Sequence, residues 1–270
     1  MRTLYVKYKA IFMMTLISSL EYRFEFFIGI LSTIFPIIIQ VFLWSAIYGV
    51  SGDSSMYGYN FSQMISYVFI AGTVSKFVVT GIEGVLNDDI HSGGLAEFLV
   101  KPVKYIPYRV CRMIGQKVTS TVIMILFTTV IVMLLHFTIG FKIYFSAVLL
   151  FVPALILATV LNFYIFFLMG TFSFWLTEAI RFFHSLQVII MVLSGGVFPI
   201  TVLGNTYVHI SELLPFSYTT YFPISVVTGA MPLYDILYGI FIQVIWITVL
   251  YTVSNMVWRR GIKRYVAVGG

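Results

Sequence analysis

Long apolar stretches separated by short polar intervals dominate this chain. Six of them, at about residues 26–50, 63–85, 118–139, 144–169, 182–198 and 236–258, contain few or no charged side chains. At about 1.5 Å per residue, stretches of this length can cross a hydrocarbon layer of about 30 Å as helices. Because a segment that spans lipid must satisfy its own backbone hydrogen bonds, the pattern predicts an all-α integral membrane protein with six transmembrane helices.

Residues 1–25 differ from the predicted spans because charged and aromatic residues alternate there. Leu4, Tyr8, Phe12 and Leu16 recur at helical spacing between the charges. This pattern favours an amphipathic helix that lies in the membrane interface. The charges also interrupt any apolar run of the kind a cleavable signal peptide needs, so none is expected here.

Residues 199–232 are apolar but are broken by Pro199, Pro215, Pro223 and Pro232. A continuous span would not tolerate so many breaks, since each proline removes a backbone donor and obstructs the helix. The interval before the last span therefore predicts short half-helices that form an external re-entrant hairpin, with their irregular backbone buried by protein.

Composition and charge support the membrane assignment and give an orientation. Only 10% of the residues are charged and 60% are hydrophobic, with a mean hydropathy of +1.00, whereas about 25% of a soluble domain is charged. The net charge of +6 is better explained by the positive-inside rule than by nucleic-acid binding. If both termini are cytoplasmic, fourteen of the sixteen lysines and arginines fall on the cytoplasmic side.

The longest polar interval, residues 86–117, lies between the second and third predicted spans. It carries three of the ten acids and five of the sixteen lysines and arginines. A Gly93-Gly94 break and a Lys101-Pro102 stop divide it into short pieces. Its basic residues from Lys101 onward are expected to lie at the lipid headgroups. A structured polar segment of this kind indicates a contact surface.

Residues suited to catalysis or to metal binding form no constellation. The four histidines are far apart, no Gly-x-x-x-x-Gly-Lys-Ser/Thr motif occurs, and a single cysteine, Cys111, allows no disulfide within the chain. Asp88 and Asp89 are a carboxylate pair, and they are better explained as helix-capping acids. We therefore expect no enzyme activity, cofactor or metal in this chain.

Two charged residues inside the second predicted span are candidates for a transport pathway. A charge at mid-bilayer costs about 2.5–3.5 kcal/mol on insertion scales, so Lys76 should face protein or water. Glu83 follows seven residues later, on nearly the same helical face. Lys76 could equally snorkel to the interface or pair with a carboxylate for purely structural reasons.

The whole pattern resembles the type 2 ATP-binding-cassette exporter permeases. The resemblance is carried by the LVKPV turn at Leu99–Val103, by Phe198-Pro199 and by Leu213–Thr219, and it covers essentially the whole chain. It implies a permease subunit in the cell membrane of a prokaryote, working as a homo- or heterodimer. It also implies a separate cytoplasmic ATPase partner.

The resemblance further implies a role for the polar interval, which we call the coupling segment (86–117). A coupling helix at about 87–100 would sit in a groove of the ATPase. Polar contacts and apolar packing there would come from seven residues: Asp88, Asp89, His91, Leu95, Glu97, Phe98 and Leu99.

Two other function classes compete with an exporter permease. A secondary carrier or channel would need no ATPase, but the chain shows no inverted repeat with matched broken segments. A membrane-embedded enzyme lacks a catalytic constellation. The substrate stays open, and the 18% of aromatic residues give only a mild preference for amphipathic cargo.

Overall fold

The structure is a computed structural model that describes residues 2–21, 23–51, 55–100, 103–118, 121, 129, 145–229 and 231–265. Most of the described chain is helical, as the hydropathy pattern predicts. Nearly all of the predicted third span, 118–139, lies outside the described residues.

The described part of the chain contains eleven α-helices, and the interval between the sixth and the seventh lies almost wholly outside the described residues. The α-helices are α1 Arg2–Glu21, α2 Arg23–Ser51, α3 Phe61–Val78, α4 Ile82–His91, α5 Gly94–Val100, α6 105–118, α7 Phe145–Thr171, α8 Ala179–Leu193, α9 Asn205–Glu212, α10 Tyr221–Val227 and α11 Leu233–Arg264. Short 3-10 helices cover Phe172–Phe174, Ile200–Leu203 and Ser217–Thr219.

A small hairpin between α2 and α3 is an exception to the all-helical prediction. Strand β1 (Ser55–Met56) pairs antiparallel with β2 (Tyr59–Asn60). Tyr57 and Gly58 connect them with φ values of 55° and 83°, as a tight two-residue hairpin turn requires. Asn60 then begins α3, because its side chain accepts from the Gln63 backbone N–H and its own N–H donates to the Gln63 side chain.

Helix α7 lies at the centre and packs against α11, α4, α10 and α3. Ala154 and Ala158 on α7 are completely buried, and such small side chains let helices approach closely in membrane proteins. A buried amide adds a polar cross-link, since Gln243 of α11 donates to the carbonyl oxygens of Ala154 at 3.1 Å and Tyr218 at 2.9 Å.

The second predicted span is not one continuous helix. Helix α3 ends at Val78, Val79 is extended, and Gly81 adopts the left-handed conformation at φ 63° before α4 begins. The predicted span at 63–85 falls within a segment that is long and apolar enough to cross a membrane, Phe61–His91, but two helices form it. Lys76 lies in the last turn of α3 and is exposed.

Three helical segments of the described chain are long and apolar enough to cross a membrane. They are Phe61–His91, which contains the break at 79–81, Val148–Phe174 and Leu233–Arg264. Ile34–Val50 and Ala179–Leu193 are shorter apolar helices. The region 199–232 contains short helices, and its depth in the membrane, like the interfacial position of α1, stays a prediction.

We expect Gly239→Ala to destabilise the packing of α11. A Cβ atom at this position would overlap the ring of Phe222, which is only 3% exposed and cannot easily move. Overpacking of this kind costs about 1–3 kcal/mol, so the thermal unfolding midpoint in detergent should fall. Gly49→Ala is the matched control, because nothing lies within 4 Å of a Cβ there. An equal response of both variants would contradict this account of the interface.

Candidate functional site

The coupling segment contains a sharp turn between α4 and α5. The Ser92 N–H donates to the Asp88 carbonyl at 2.8 Å, which ends α4. Gly93 follows with φ 80°, a conformation that favours glycine because it has no Cβ atom. The predicted two-glycine break is thus used as a turn, and it gives α5 a new direction.

A buried network of Asp89, Tyr105 and Arg109 joins α4 to α6. The Arg109 guanidinium forms an ion pair with the Asp89 carboxylate, and the two side chains are only 8% and 16% exposed. The Tyr105 hydroxyl donates to the same carboxylate at 2.5 Å, and Arg109 Nε donates to the Tyr105 oxygen at 3.2 Å. The place of Arg109 in the sequence predicts a position at the lipid headgroups. Arg109 is instead buried in this network.

Burial and neighbouring charges act in opposite directions on the pKa of Arg109 in this network. Burial raises the pKa of the Tyr105 hydroxyl, so this group stays protonated as a donor. Burial alone would lower the pKa of Arg109, but the neighbouring Tyr105 and Asp89 outweigh burial and raise it. The guanidinium therefore keeps its charge although it is buried.

Aromatic rings extend the network from α5 to the centre of the protein. Phe98 of α5 meets Tyr105 edge-on at 5.2 Å between ring centroids. Tyr105 stacks on Trp258 of α11 at 5.0 Å, and Trp258 contacts Phe167 of α7 at 5.6 Å. Such ring pairs contribute about 0.5–1.5 kcal/mol each beyond their buried area. The coupling segment is thereby packed onto the two central helices.

Six of the seven residues predicted to contact an ATPase have described side chains, and these are either exposed or packed within the protein. Asp88, His91 and Glu97 are exposed. Leu95 is completely buried in the chain's own core, Asp89 belongs to the network with Arg109, and Phe98 packs on Tyr105. The side chain of Leu99 lies outside the described residues.

The two candidate pathway residues are not together on one helical face, because the break at 79–81 separates them. Glu83 is 3% exposed, and the Gln187 side chain of α8 donates to one of its carboxylate oxygens. The second oxygen has no hydrogen-bond partner within the described part of the chain. Glu83 therefore lies in an interface between α4 and α8, whereas Lys76 is exposed.

A lysine of the coupling segment holds the broken end of α3. The Lys117 ammonium group donates to the carbonyl oxygens of Phe77 and Val79, two acceptors that the end of the helix leaves without an intrahelical donor. No local sequence motif predicts this contact, because it joins residues about forty positions apart. The only sequence cue is Gly81, which follows the end of α3.

A comparison with protein-family models assigns the chain to a family. A family model described as "ABC-2 family transporter protein" matches residues 33–269. The chain belongs to the ABC-2 transporter family. This confirms the resemblance to type 2 ATP-binding-cassette permeases, and together with the apolar helices it identifies a multi-pass membrane protein.

No curated protein and no solved structure matches this ABC-2 transporter protein. Within the described residues, no group of three or more His, Cys, Asp or Glu side chains could hold a metal ion.

We expect Arg109→Met to destabilise this ABC-2 transporter protein strongly. The substitution leaves the Asp89 carboxylate partly buried without its ion-pair partner, and breaking a buried pair from one side costs about 3–5 kcal/mol. Thermal unfolding of the purified protein in detergent measures the effect. Arg181→Met is the matched control, because Arg181 and Glu178 form a pair with side chains 81% and 71% exposed. Equal midpoints for the two variants would contradict the role of the network.

Proposed function

We propose that this protein is the transmembrane permease subunit of an ATP-binding-cassette exporter. Two permease subunits would form the substrate pathway, and a separate cytoplasmic ATPase would drive it. The observation that carries the proposal is the α4–α5 turn, which presents polar groups outward while its inner face is anchored in the chain's own core.

The proposed orientation has both termini in the cytoplasm of a prokaryotic cell. It rests on the distribution of lysine and arginine, of which fourteen fall on one side under this topology. The coupling segment then faces the cytoplasm. The short helices of 199–232 face the exterior, where they would cap the substrate pathway.

The outer residues of the turn are the ones we propose to contact the ATPase. Asp88, His91 and Glu97 are exposed and offer two carboxylates and an imidazole. Leu95, Asp89 and Phe98, which the sequence assigns to the same contact, would instead fix the turn to the permease. A docking element needs both properties, since a loosely attached turn could not transmit displacement.

The anchoring residues also suggest how a displacement would travel. A push on α5 acts on Phe98 and Tyr105, and through Trp258 on α11 and α7. Packed aromatic contacts of this kind favour movement of helices as rigid bodies over local deformation. We propose that ATP-driven closure of the ATPases moves α4, α5 and α6 together against the central helices.

The ATPase is proposed to be a separate polypeptide because the chain has no P-loop motif to bind the phosphates of ATP. A secondary carrier would have the same helices but would work without an ATPase. Co-purification from the native membrane therefore separates the two functions.

We expect His91→Trp to reduce ATPase binding. An indole at this exposed position obstructs docking whatever the charge of the groove, and a loss of about 1.4 kcal/mol lowers affinity roughly tenfold. The tagged permease is purified from its native host, and the co-purifying subunit with a P-loop is quantified by mass spectrometry. His209→Trp is the control, because His209 is also exposed but lies on α9, on the proposed external side.

Transport by a wild-type chain that never co-purifies with such a subunit would favour the carrier. Equal ATPase recovery for His91→Trp and His209→Trp would show that the docking surface does not lie at the α4–α5 turn. Leu95→Asp is unsuitable for this purpose, since it places a charge at a completely buried position and tests folding instead.

We also propose that Lys76 faces water of the transport pathway. It is exposed at the end of a mainly apolar helix, α3, beside the break, and a charge at such a place needs water or protein around it. Glu83 would then support the pathway from the α4–α8 interface.

We expect Lys76→Met to lower transport several-fold at unchanged abundance of the protein, because the wall of the proposed pathway loses the charged group that keeps it hydrated. Uptake of a fluorescent amphipathic dye into inverted membrane vesicles measures the rate. Lys104→Met removes an exposed lysine from the coupling segment and serves as the control. Normal transport by Lys76→Met would assign Lys76 a structural role.

A further inference from the structure

A groove between α4 and α6 lies beside the network of Asp89, Tyr105 and Arg109 and includes Asp88, so its lining overlaps the residues of the proposed coupling mechanism. Its volume is about 280 Å³, which is just below the range for ligand pockets, about 300–1,000 Å³. Its walls combine polar and apolar side chains: Thr80, Ile82, Val85, Asp88, Asp89, Arg109, Arg112, Met113 and Gln116. A groove of this size suits a small polar group and not a whole lipid or peptide.

The charges of the groove are balanced, but only one of its two possible ion pairs is formed. Asp89 and Arg109 neutralise each other. Arg112 is exposed and has no hydrogen-bond or ion-pair partner within the described residues, and Asp88 accepts a single long hydrogen bond of 3.5 Å from Asn87. One cationic and one anionic group thus remain for a ligand. A purely anionic ligand would meet the Asp88 carboxylate, and a purely cationic one would meet Arg112.

The apolar side chains that line the groove indicate that its ligand comes from the membrane. Ile82, Val85 and Met113 line the groove beside its charged groups, and Val85 is 39% exposed. Val79, next to the lining residue Thr80, is 54% exposed. Polar and apolar surface meet here at the cytoplasmic end of a candidate span, where the headgroup layer of the inner leaflet would lie.

We propose that this groove binds the zwitterionic headgroup of a phospholipid that carries a primary ammonium group, as phosphatidylethanolamine does. Arg112 donates to the phosphate, as guanidinium groups do in charge-assisted pairs, and Asp88 accepts from the ammonium group. The glycerol and the acyl chains follow the apolar wall into the bilayer. The proposal goes beyond the transport function and rests on it only in placing this groove at the cytoplasmic surface.

Native mass spectrometry of the delipidated full-length protein in detergent tests the proposal. Phosphatidylethanolamine, phosphatidylcholine and phosphatidylglycerol with identical acyl chains are titrated separately. We expect phosphatidylethanolamine to bind about tenfold more tightly than phosphatidylglycerol, because one lost charge-assisted hydrogen bond corresponds to about that factor. Phosphatidylcholine should bind less tightly than phosphatidylethanolamine, since its ammonium group has no hydrogen to donate.

Two variants probe the two charges separately. Arg112→Gln and Asp88→Asn should each weaken phosphatidylethanolamine binding about tenfold, and Asp88→Asn should also reduce the discrimination against phosphatidylglycerol. Both positions are exposed, so the thermal midpoint should not change. Arg181→Gln and Glu178→Gln make the same changes in an exposed ion pair of the α8 region and should leave lipid binding unaltered.

The proposal is overturned if phosphatidylglycerol binds as tightly as phosphatidylethanolamine, or if both groove variants bind like the wild type. Soluble glycerophosphoethanolamine provides a further arm. If it displaces the lipid at comparable concentration, the ligand is a free metabolite of the same chemistry and the assignment to a lipid is wrong. The measurement contains no ATPase, so failure of the coupling proposal would leave its result unchanged.

Discussion

The buried contact of Asp89 with Arg109 and Tyr105 is the interaction on which the packing of α4, α5 and α6 depends. It joins α4 to α6, and Tyr105 continues the connection to Trp258 on α11. Without it, α4, α5 and α6 would be short helices with little to hold their relative directions, since isolated helices of this length are marginal in water. The contact turns a polar loop between helices into a folded unit.

The same contact explains why some of the residues predicted to face an ATPase are instead packed within the protein. The sequence indicates where the chain turns, because Gly93 and Gly94 interrupt a helical pattern and Pro102 follows. It cannot indicate which side of a seven-residue helix faces a partner. Leu95 carries the apolar character that either a groove or the chain's own core could bury, and only packing against α6, α7 and α11 decides between them.

The break in the second span illustrates a different reason for failure. Apolar residues continue through Val79 and Ile82, so an average over a span-length window reports one helix. The backbone nevertheless ends α3 at Val78, where Lys117 supplies the donor that the terminal carbonyl groups lack. That donor comes from another helix. Sequence reasoning recognises the individual charged residues, yet pairs such as Glu83 with Gln187 depend on tertiary contacts that no local pattern encodes.

The break also has a mechanical consequence. A continuous span of thirty residues tilts as one rod, and displacement at its cytoplasmic end must appear at its external end. Here an extended residue and a left-handed glycine separate the rod into α3 and α4, and Lys117 of α6 holds the end of α3. Helix α4, the piece after the break, is joined to α6 by the ion pair of Asp89 with Arg109. Helix α3, the piece before the break, is held by a different contact, since the Tyr67 hydroxyl donates to the Gly195 carbonyl at 2.6 Å. If the α4–α5 turn receives the force, as we propose, the boundary between moving and fixed helices would lie at this break, one helix away from that turn.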